Sequence, residues 1–215
     1  MIIDLYHGSE KIIQNPTTNG GRIHNDYGQG FYCTQHIELA KEWAVSEDHN
    51  GYANHYTLDL NGLKILNLNK DYTSILYWLA FLLQNRVVNL SAPIMVSGME
   101  YLQTHYPVDA KTYDLIIGYR ADDSYFSFAR DFLSNSISIE QLEKAMYLGE
   151  LGEQYFIKSQ KAFKQLNFVD YTIADKGKYY SQRIKRDSDA RLNYQRIIRE
   201  NPNGTYLIDL LRKEK

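Results

Sequence analysis

The sequence contains very little cysteine and no long apolar run. Cys33 is the only cysteine in 215 residues, which excludes an intramolecular disulfide and is typical of a reducing cytoplasm. The longest apolar run, Ile75 to Leu83, is far shorter than the roughly 20 residues that cross a bilayer, and it predicts a buried helix. The first residues lack the basic segment and apolar stretch of a signal peptide. These absences predict a cytoplasmic protein without membrane contacts.

The chain also lacks a strong charge of either sign. Its net charge is −2 and its pI is near 6.3, which does not indicate nucleic-acid binding by the chain as a whole. Hydrophobic residues make up 44% of the chain, enough to bury a core. The length suits one large domain, or one domain with an appended helix. The 19 tyrosines favour half-buried strands and ligand clefts, because the ring packs while its hydroxyl seeks a partner.

Hydrophobic periodicity predicts a chain that mixes strands and helices. The predicted strands span 2–6, 30–34, 54–60, 64–68, 113–118, 154–158 and 168–173. The predicted helices span 38–46, 73–88, 93–105, 124–133, 139–148 and 159–166. We expect strand 64–68 to lie beside strand 54–60, Thr73 to cap its helix, and Ser138 with Gln141 to form a capping box. Residues 15–25, rich in Asn, Thr and Gly, predict a loop.

The C-terminal segment differs in charge from the rest of the chain. Residues 176–199 contain eight Lys or Arg against two Asp, which predicts a basic helix on an acidic body. One interpretation is a solvated helix that packs through Tyr180, Ile184, Leu192 and Ile197. The alternative is a contact surface for an acidic partner or for RNA or DNA. We therefore divide the chain into a domain of residues 1–175 and a basic helical extension of residues 176–215.

Two short segments carry residues suited to a planar ligand. His7 ends a predicted strand and precedes Gly8 and Ser9, and Gly8 lets a flat ligand approach the backbone because it has no Cβ. The segment Gly-Gln-Gly-Phe-Tyr ends at Tyr32, and Trp43 on the next helix can return to the same cleft. Two rings across a gap can sandwich a planar cation, such as the nicotinamide of NAD. Each segment alone is more typical of a turn, so the prediction depends on their order and spacing.

These residues resemble the NAD-binding motifs of the diphtheria-toxin and poly(ADP-ribose) polymerase branch of the ADP-ribosyltransferases. Leu-Tyr-His-Gly-Ser is similar to the first motif, Gly-Gln-Gly-Phe-Tyr to the second, and Trp43 stands where that branch has a further aromatic. The resemblance implies an α+β fold with a split antiparallel β-sheet core and flanking helices, followed here by the C-terminal extension. It also implies that His7 binds a ribose hydroxyl, that the Gly8 backbone binds the carboxamide, and that Tyr32 and Trp43 clamp nicotinamide.

The chain also resembles an uncharacterised bacterial family catalogued as domain of unknown function 3990. This resemblance covers approximately residues 3–168 and leaves out the basic extension. The shared features are His-Gly-Ser, Gly-Gln-Gly-Phe-Tyr, Asn85-Arg86, the segment from Tyr113 to Gly118, Ala121-Asp122-Asp123 and the strand that contains Gln154.

Two positions depart from the transferase motifs. Ala40 stands where the polymerases have a serine that bonds the carboxamide, and Gln154 stands where the branch has its catalytic Glu. The adjacent Glu153 faces the opposite side of the strand. Gln keeps the hydrogen bond but loses the charge, a difference of roughly 1–2 kcal/mol that grows in a water-excluded site. Asp122 and Asp123 are the expected auxiliary acids, alongside Glu153; a turn or helix cap is the alternative for the two Asp.

The resemblance therefore implies an NAD-dependent ADP-ribosyltransferase. The expected catalytic residues are Gln154, His7 and Tyr32. The expected NAD-binding residues are His7, Gly8, Ser9, Tyr32, Trp43 and Arg86. Arg86 suits either a phosphate or the pinning of a loop. No spacing of His, Cys or acidic residues indicates a metal site, so NAD is the expected substrate and no metal is expected.

Transfer of a single ADP-ribose to a protein or nucleic-acid acceptor is expected over polymer formation. The resemblance implies that elongation requires the Glu that is absent from this chain. By analogy with small bacterial transferases, the chain is expected to be a toxin with a neutralising protein partner. Two alternatives stay open. The cleft binds NAD or ADP-ribose without chemistry, or the protein is an NAD glycohydrolase with water as the acceptor.

Overall fold

A computed structural model of the chain describes residues 1–121, 123–200 and 202–213, with only the backbone of residues 123 and 124. The fold is α+β, as expected. The strands are β1 (Ile2–Ser9), β2 (Phe31–Cys33), β3 (Gly51–Asp59), β4 (Ile65–Asn67), β5 (Leu115–Tyr119), β6 (Glu153–Ile157) and β7 (Leu166–Ala174). The helices of the described ranges are α1 (Ile37–Ala44), α2 (Ile75–Asn85), α3 (Pro93–His105), α4 (Asp123–Leu133), α5 (Ile139–Met146), α6 (Gln160–Lys164), α7 (Lys176–Glu200) and α8 (Leu207–Arg212).

Every predicted strand and helix overlaps one of these elements. The capping box of α5 is confirmed, since Gln141 N donates to Ser138 Oγ at 3.2 Å and Ser138 N donates to Gln141 Oε1 at 2.9 Å. The predicted cap of α2 is wrong: Ser74, not Thr73, accepts from Leu76 N. The six residues of α8 lie in the predicted helical extension, but a separate helix was not predicted there, because so short a helix shows too little periodicity.

The strands form two sheets, of order β1-β3-β7 and β2-β6-β5-β4. The first sheet is antiparallel throughout, whereas β4 pairs parallel with β5 in the second. The expected pairing of strand 64–68 with strand 54–60 is therefore wrong, and the core is not purely antiparallel. The physical reason is the crossover through α2 and α3, because a long helical connection allows two strands to run in the same direction.

The two sheets meet at a bridge between β1 and the end of β2. Tyr6 N donates to Thr34 O at 2.7 Å, and Thr34 N donates to Tyr6 O at 2.9 Å. Helix α1 packs against the end of β1, and Gly8 makes this approach possible: a Cβ at this position would overlap the Ala40 carbonyl oxygen. The bridge and the helix place the end of β1 beside Tyr32.

The largest core cluster surrounds α2, the predicted buried helix. Trp78, Leu79 and Leu82 of this helix are almost fully buried, and they pack with residues of β5 and β6 such as Ile116 and Phe156. A second cluster fills the space where the two sheets meet. Within the described ranges, no helix is long and apolar enough to span a bilayer.

The C-terminal helices pack against the body of the protein. Tyr179, Ala190 and Tyr194 are the buried residues of α7, whereas Ile184 is 48% and Leu192 is 70% exposed. The predicted packing face is therefore wrong at those two positions. Polar as well as apolar contacts determine which face of α7 is buried. Tyr194 stacks on a ring of α4 with centroids 3.9 Å apart, and its hydroxyl donates to an α4 carboxylate at 2.6 Å.

Helix α8 closes the chain against α3, which gives a stability test. Leu207 is fully buried and packs over Gly98, so we expect Leu207→Ala to lower the free energy of unfolding by about 2–5 kcal/mol. Leu192→Ala is the matched control on the exposed side of α7 and should change it by no more than about 0.5 kcal/mol. Urea unfolding of both variants measures the difference. Equal losses would contradict the docking of α8.

Candidate functional site

Two adjoining cavities form one cleft where the sheets meet. The first has a volume of about 330 Å³ and is lined by the end of β1, part of the loop 13–21 and ring residues. The second, of about 260 Å³, is lined mostly by polar and charged side chains. Asn25, Tyr32, Trp43 and Arg120 line both cavities. The size suits a small ligand, since ligand pockets of several hundred Å³ are common.

His7 lines the first cavity from the end of β1. Its Nδ1 lies 2.7 Å from the Tyr32 carbonyl oxygen, and because a carbonyl only accepts, Nδ1 carries the proton and Nε2 is an acceptor. The pKa of His7 is lowered from 6.5 to about 4, mainly by burial; the hydrogen bond to Tyr32 opposes this lowering, and the nearby Arg120 contributes to it. His7 is therefore neutral near pH 7 and can accept a hydrogen bond from a ligand hydroxyl.

Tyr32 contributes a ring to the cleft while its hydroxyl holds the preceding loop. The hydroxyl donates to Gly28 O at 2.6 Å and accepts from Tyr27 N at 2.9 Å. Gly28 has a φ of 96°, a conformation that favours glycine, so the Gly-Gln-Gly segment turns back onto the hydroxyl. Burial raises the pKa of Tyr32 well above its usual value. The side chain therefore stays un-ionised, and only its ring is available to a ligand.

A planar cation, the guanidinium of Arg120, lies over the indole ring of Trp43. The Arg120 guanidinium lies 3.0 Å from the ring centroid, an arrangement in which the ring quadrupole attracts the positive charge. Trp43 is half-buried and lines both cavities. The face of this ring can thus hold a flat, positively charged group, and Arg120 is its occupant here.

Gln154 lines the second cavity from β6 and is only 2% exposed. Its Nε2 donates to Asp26 Oδ2 and to Tyr119 O, both at 3.1 Å. Both N–H groups are thereby used, so the part of the amide left for a ligand is its carbonyl oxygen. Glu153 has a different partner, since its Oε1 accepts from Asn69 Nδ2 at 3.0 Å, and it does not line either cavity of the cleft.

Asp26 is the carboxylate that the structure places beside Gln154, and the sequence did not reveal it. It is 5% exposed and accepts from Arg86 at 2.9 Å and from Ala121 N at 3.1 Å. Burial raises its pKa, against the lowering effect of Arg86. An Asp in an Asn- and Gly-rich loop is typical of a turn. Its only sequence signal is its position two residues before the Gly-Gln-Gly-Phe-Tyr motif.

Two of the three expected auxiliary acids have side chains outside the described residues. Asp122 lies outside the described residues, as does the side chain of Asp123. Asp123 is the first residue of α4. In the part of the chain that the structure describes, no group of three His, Cys, Asp or Glu side chains is placed to hold a metal ion.

Arg86 pins the Asp26 loop, one of the two roles expected for it. Besides the carboxylate it bonds the Ala121 carbonyl oxygen at 2.7 Å and lies 4.3 Å from the Phe126 ring centroid. It also lines the second cavity, together with Arg22, Arg120 and Arg183. Asp26 is the acidic residue that lines the same cavity, so the chemistry of its lining favours an anionic ligand group.

The remaining predicted residues have structural contacts. Ser9 is not among the residues that line the cleft. Its hydroxyl donates to Lys11 O at 2.6 Å and accepts from Asn54 Nδ2 at 3.0 Å, so it shapes the turn after β1. Gly8 lines the first cavity, but its missing Cβ makes room for α1 rather than for a ligand.

The structure thus brings His7, Gly8, Tyr32 and Trp43 to the first cavity, and Gln154 and Arg86 to the second. A search of the curated proteins and a search of the solved structures each found no match. A protein-family model does match, over residues 3–168, a range that includes all six of these residues; it describes a protein of unknown function, DUF3990. The chain therefore belongs to the DUF3990 family.

Proposed function

We propose that the protein is an NAD-dependent ADP-ribosyltransferase that transfers one ADP-ribose group to a protein or nucleic-acid acceptor. The observation that carries this proposal is the convergence of His7, Tyr32, Trp43 and Gln154, from four separate segments, on one cleft. The two sheets joined at the ends of β1 and β2 also agree with the split core that the sequence resemblance implies.

Nicotinamide fits the ring face of Trp43. It is planar and cationic in NAD, as is the Arg120 guanidinium that lies on this ring. When nicotinamide takes the ring face, Arg120 moves aside into the arginine-lined second cavity. There it joins the guanidinium groups that suit the two phosphates of NAD.

The hydrogen-bonding groups suit the riboses. Neutral His7 accepts from a ribose hydroxyl through Nε2, and the Gln154 carbonyl oxygen accepts from a second hydroxyl. As the bond between nicotinamide and ribose breaks, its electron pair leaves on the nicotinamide nitrogen and positive charge develops on the ribose. The acceptor atom then bonds the ribose carbon and releases its proton to solvent. Acceptors that hold the ribose hydroxyls and stabilise this charge lower the barrier.

Radiolabelled NAD distinguishes this proposal from its alternatives. The purified protein is incubated with NAD labelled in the adenylate phosphate, and nicotinamide, free ADP-ribose and labelled macromolecules are quantified. Nicotinamide together with a labelled acceptor supports transfer. Nicotinamide with free ADP-ribose alone supports a glycohydrolase. Thermal stabilisation by NAD without turnover supports a binding module, and neither stabilisation nor turnover would refute all three.

Replacing Trp43 should weaken the binding of ligands that contain nicotinamide. We expect Trp43→Ala to cost about 0.5–2 kcal/mol of binding free energy, or about 2- to 30-fold in the Kd for NAD. The Kd for ADP-ribose, which lacks nicotinamide, should stay within about twofold by the same reasoning. Calorimetric titration of both ligands measures the difference. Trp43→Phe is the matched control and should retain most of the affinity; an equal loss for both ligands would contradict stacking at this ring.

The affinity for NAD should depend on pH through His7. The neutral ring accepts from the ligand, and its pKa is about 4 in the fold. The Kd should therefore be level from pH 8 down to about pH 5.5 and rise as the pH falls towards 4, because protonation removes the acceptor. Calorimetric titration across this range gives the profile, and His7→Ala should remove the acid rise. A midpoint near 6.5, the value of an unperturbed His, would contradict the buried neutral ring.

A further inference from the structure

We infer that Asp26 is a positioning residue for Gln154, and that the pair together replaces a single glutamate. The Asp26 carboxylate holds the Gln154 amide with its carbonyl oxygen available to the ligand, and it supplies the negative charge that glutamine lacks. This inference rests on the proposed function and concerns the reaction of the same cleft.

The hydrogen bonds around Gln154 fix its orientation. Its Nε2 has two neighbours, Asp26 Oδ2 and Tyr119 O, each at 3.1 Å. A main-chain carbonyl oxygen accepts only, and so does an ionised carboxylate. Turning the amide over would place its oxygen against two other oxygens. The amide therefore has one allowed orientation, and its oxygen takes the role of a glutamate oxygen towards a ribose hydroxyl.

The neighbours of Asp26 favour its ionised form, against the burial that raises its pKa. Three donors surround its two oxygens: Arg86 at 2.9 Å, Ala121 N at 3.1 Å and Gln154 at 3.1 Å. Since each of these groups donates, the carboxylate binds them best without a proton. The side chain is 5% exposed, so its charge acts in a medium that screens it weakly. A negative charge next to the amide draws electron density towards the Gln154 oxygen and strengthens it as an acceptor.

Two other acids with described side chains, Glu153 and Glu42, do not fill this position. Glu153 accepts from Asn69 and lies outside the lining of the cleft. Glu42 is more deeply buried, at 2% exposure, but it forms a bidentate ion pair with Arg186 at 2.9 Å and lines neither cavity of the cleft. Among the described side chains that line the cleft, Asp26 is the carboxylate within hydrogen-bonding distance of Gln154.

A double-mutant cycle at positions 26 and 154 tests the inference. Asp26→Asn removes the charge and replaces one of the two acceptor oxygens with an NH₂ group, so kcat for nicotinamide release should fall about five- to thirty-fold, as when a charge-assisted bond becomes neutral. The KM for NAD should change much less, because the ring contacts persist. Gln154→Glu alone should give no gain at neutral pH: it places two carboxylates about 3 Å apart, and such a pair retains a proton.

The double variant of this cycle gives the decisive result. With Asp26→Asn and Gln154→Glu together, an amide faces a carboxylate again, with the two roles exchanged, and kcat should recover to the wild-type value or above. An Asp26 that only held Arg86 and the loop could not be replaced in this way by a change at position 154. Non-additivity of this kind reports a direct interaction between the two side chains.

Glu42→Gln is the matched control for the loss of a buried carboxylate with an arginine partner, and it should leave kcat within about twofold, because Glu42 lines neither cavity of the cleft. Melting curves verify that each variant is folded. If Asp26→Asn does not fold, the pH profile of Gln154→Glu decides. Its kcat should rise between pH 7 and pH 9 as the shared proton leaves, and a flat profile would overturn the inference.

Three results separate the inference from the function on which it rests. Wild-type turnover of NAD with unchanged kcat in Asp26→Asn overturns the role of Asp26 and leaves the proposed function standing. A combined variant no faster than Asp26→Asn does the same. A wild-type protein that neither binds nor consumes NAD overturns both.

Discussion

Two backbone hydrogen bonds between Tyr6 and Thr34 hold the sheets together, and the cleft depends on them. They hold the end of β1 beside the residue that follows β2, so that the His7 ring reaches the Tyr32 carbonyl oxygen. Because backbone pairing fixes the register of both chains, a slip of one residue would turn His7 away from the cavity. The position of the imidazole is thus a property of the sheet junction rather than of a flexible loop.

The loop before β2 depends on a second constraint, which is polar. Asp26, Arg86 and Gln154 form one buried network with the main chain at Tyr119 and Ala121. Buried polar groups are costly unless they are all paired. The network therefore favours one arrangement of these segments, and it brings the loop before β2, the end of β5, β6 and the end of α2 together. The free-energy cost of burying these charged groups is offset by their pairing, and the network lies at the cleft where the ligand is expected to bind.

The positions of the helices and strands were predicted better from the sequence than the pairing and packing between them. Long periodic segments such as α2 and α3 could be predicted because one helix face is repeated over several turns. The parallel pairing of β4 with β5 could not, because the partner is 50 residues away and the strand has only three residues. The buried face of α7 was missed because tyrosine hydroxyls with carboxylate partners bury better there than Ile184 and Leu192, which apolar character alone would favour.

The same difference applies to the cleft. His7, Tyr32 and Trp43 could be predicted because short motifs in a fixed order mark them. Asp26 and Arg120 could not, because the carboxylate lies in a turn-like loop and the arginine follows a strand without any pattern of its own. Their placement arises from tertiary contacts: Asp26 from the network of buried donors, and Arg120 from the attraction between a guanidinium and an indole.

Arg183 comes from α7 yet lines the second cavity of the cleft, and this shared surface has a thermodynamic consequence. A ligand anion that contacts Arg183 binds more tightly when α7 is docked, so by linkage the ligand holds α7 in place to the same degree. Any macromolecule that draws this basic helix away from the body must then work against an occupied cleft. Binding of an anion in the cleft and undocking of the basic helix therefore oppose each other, and each makes the other less favourable.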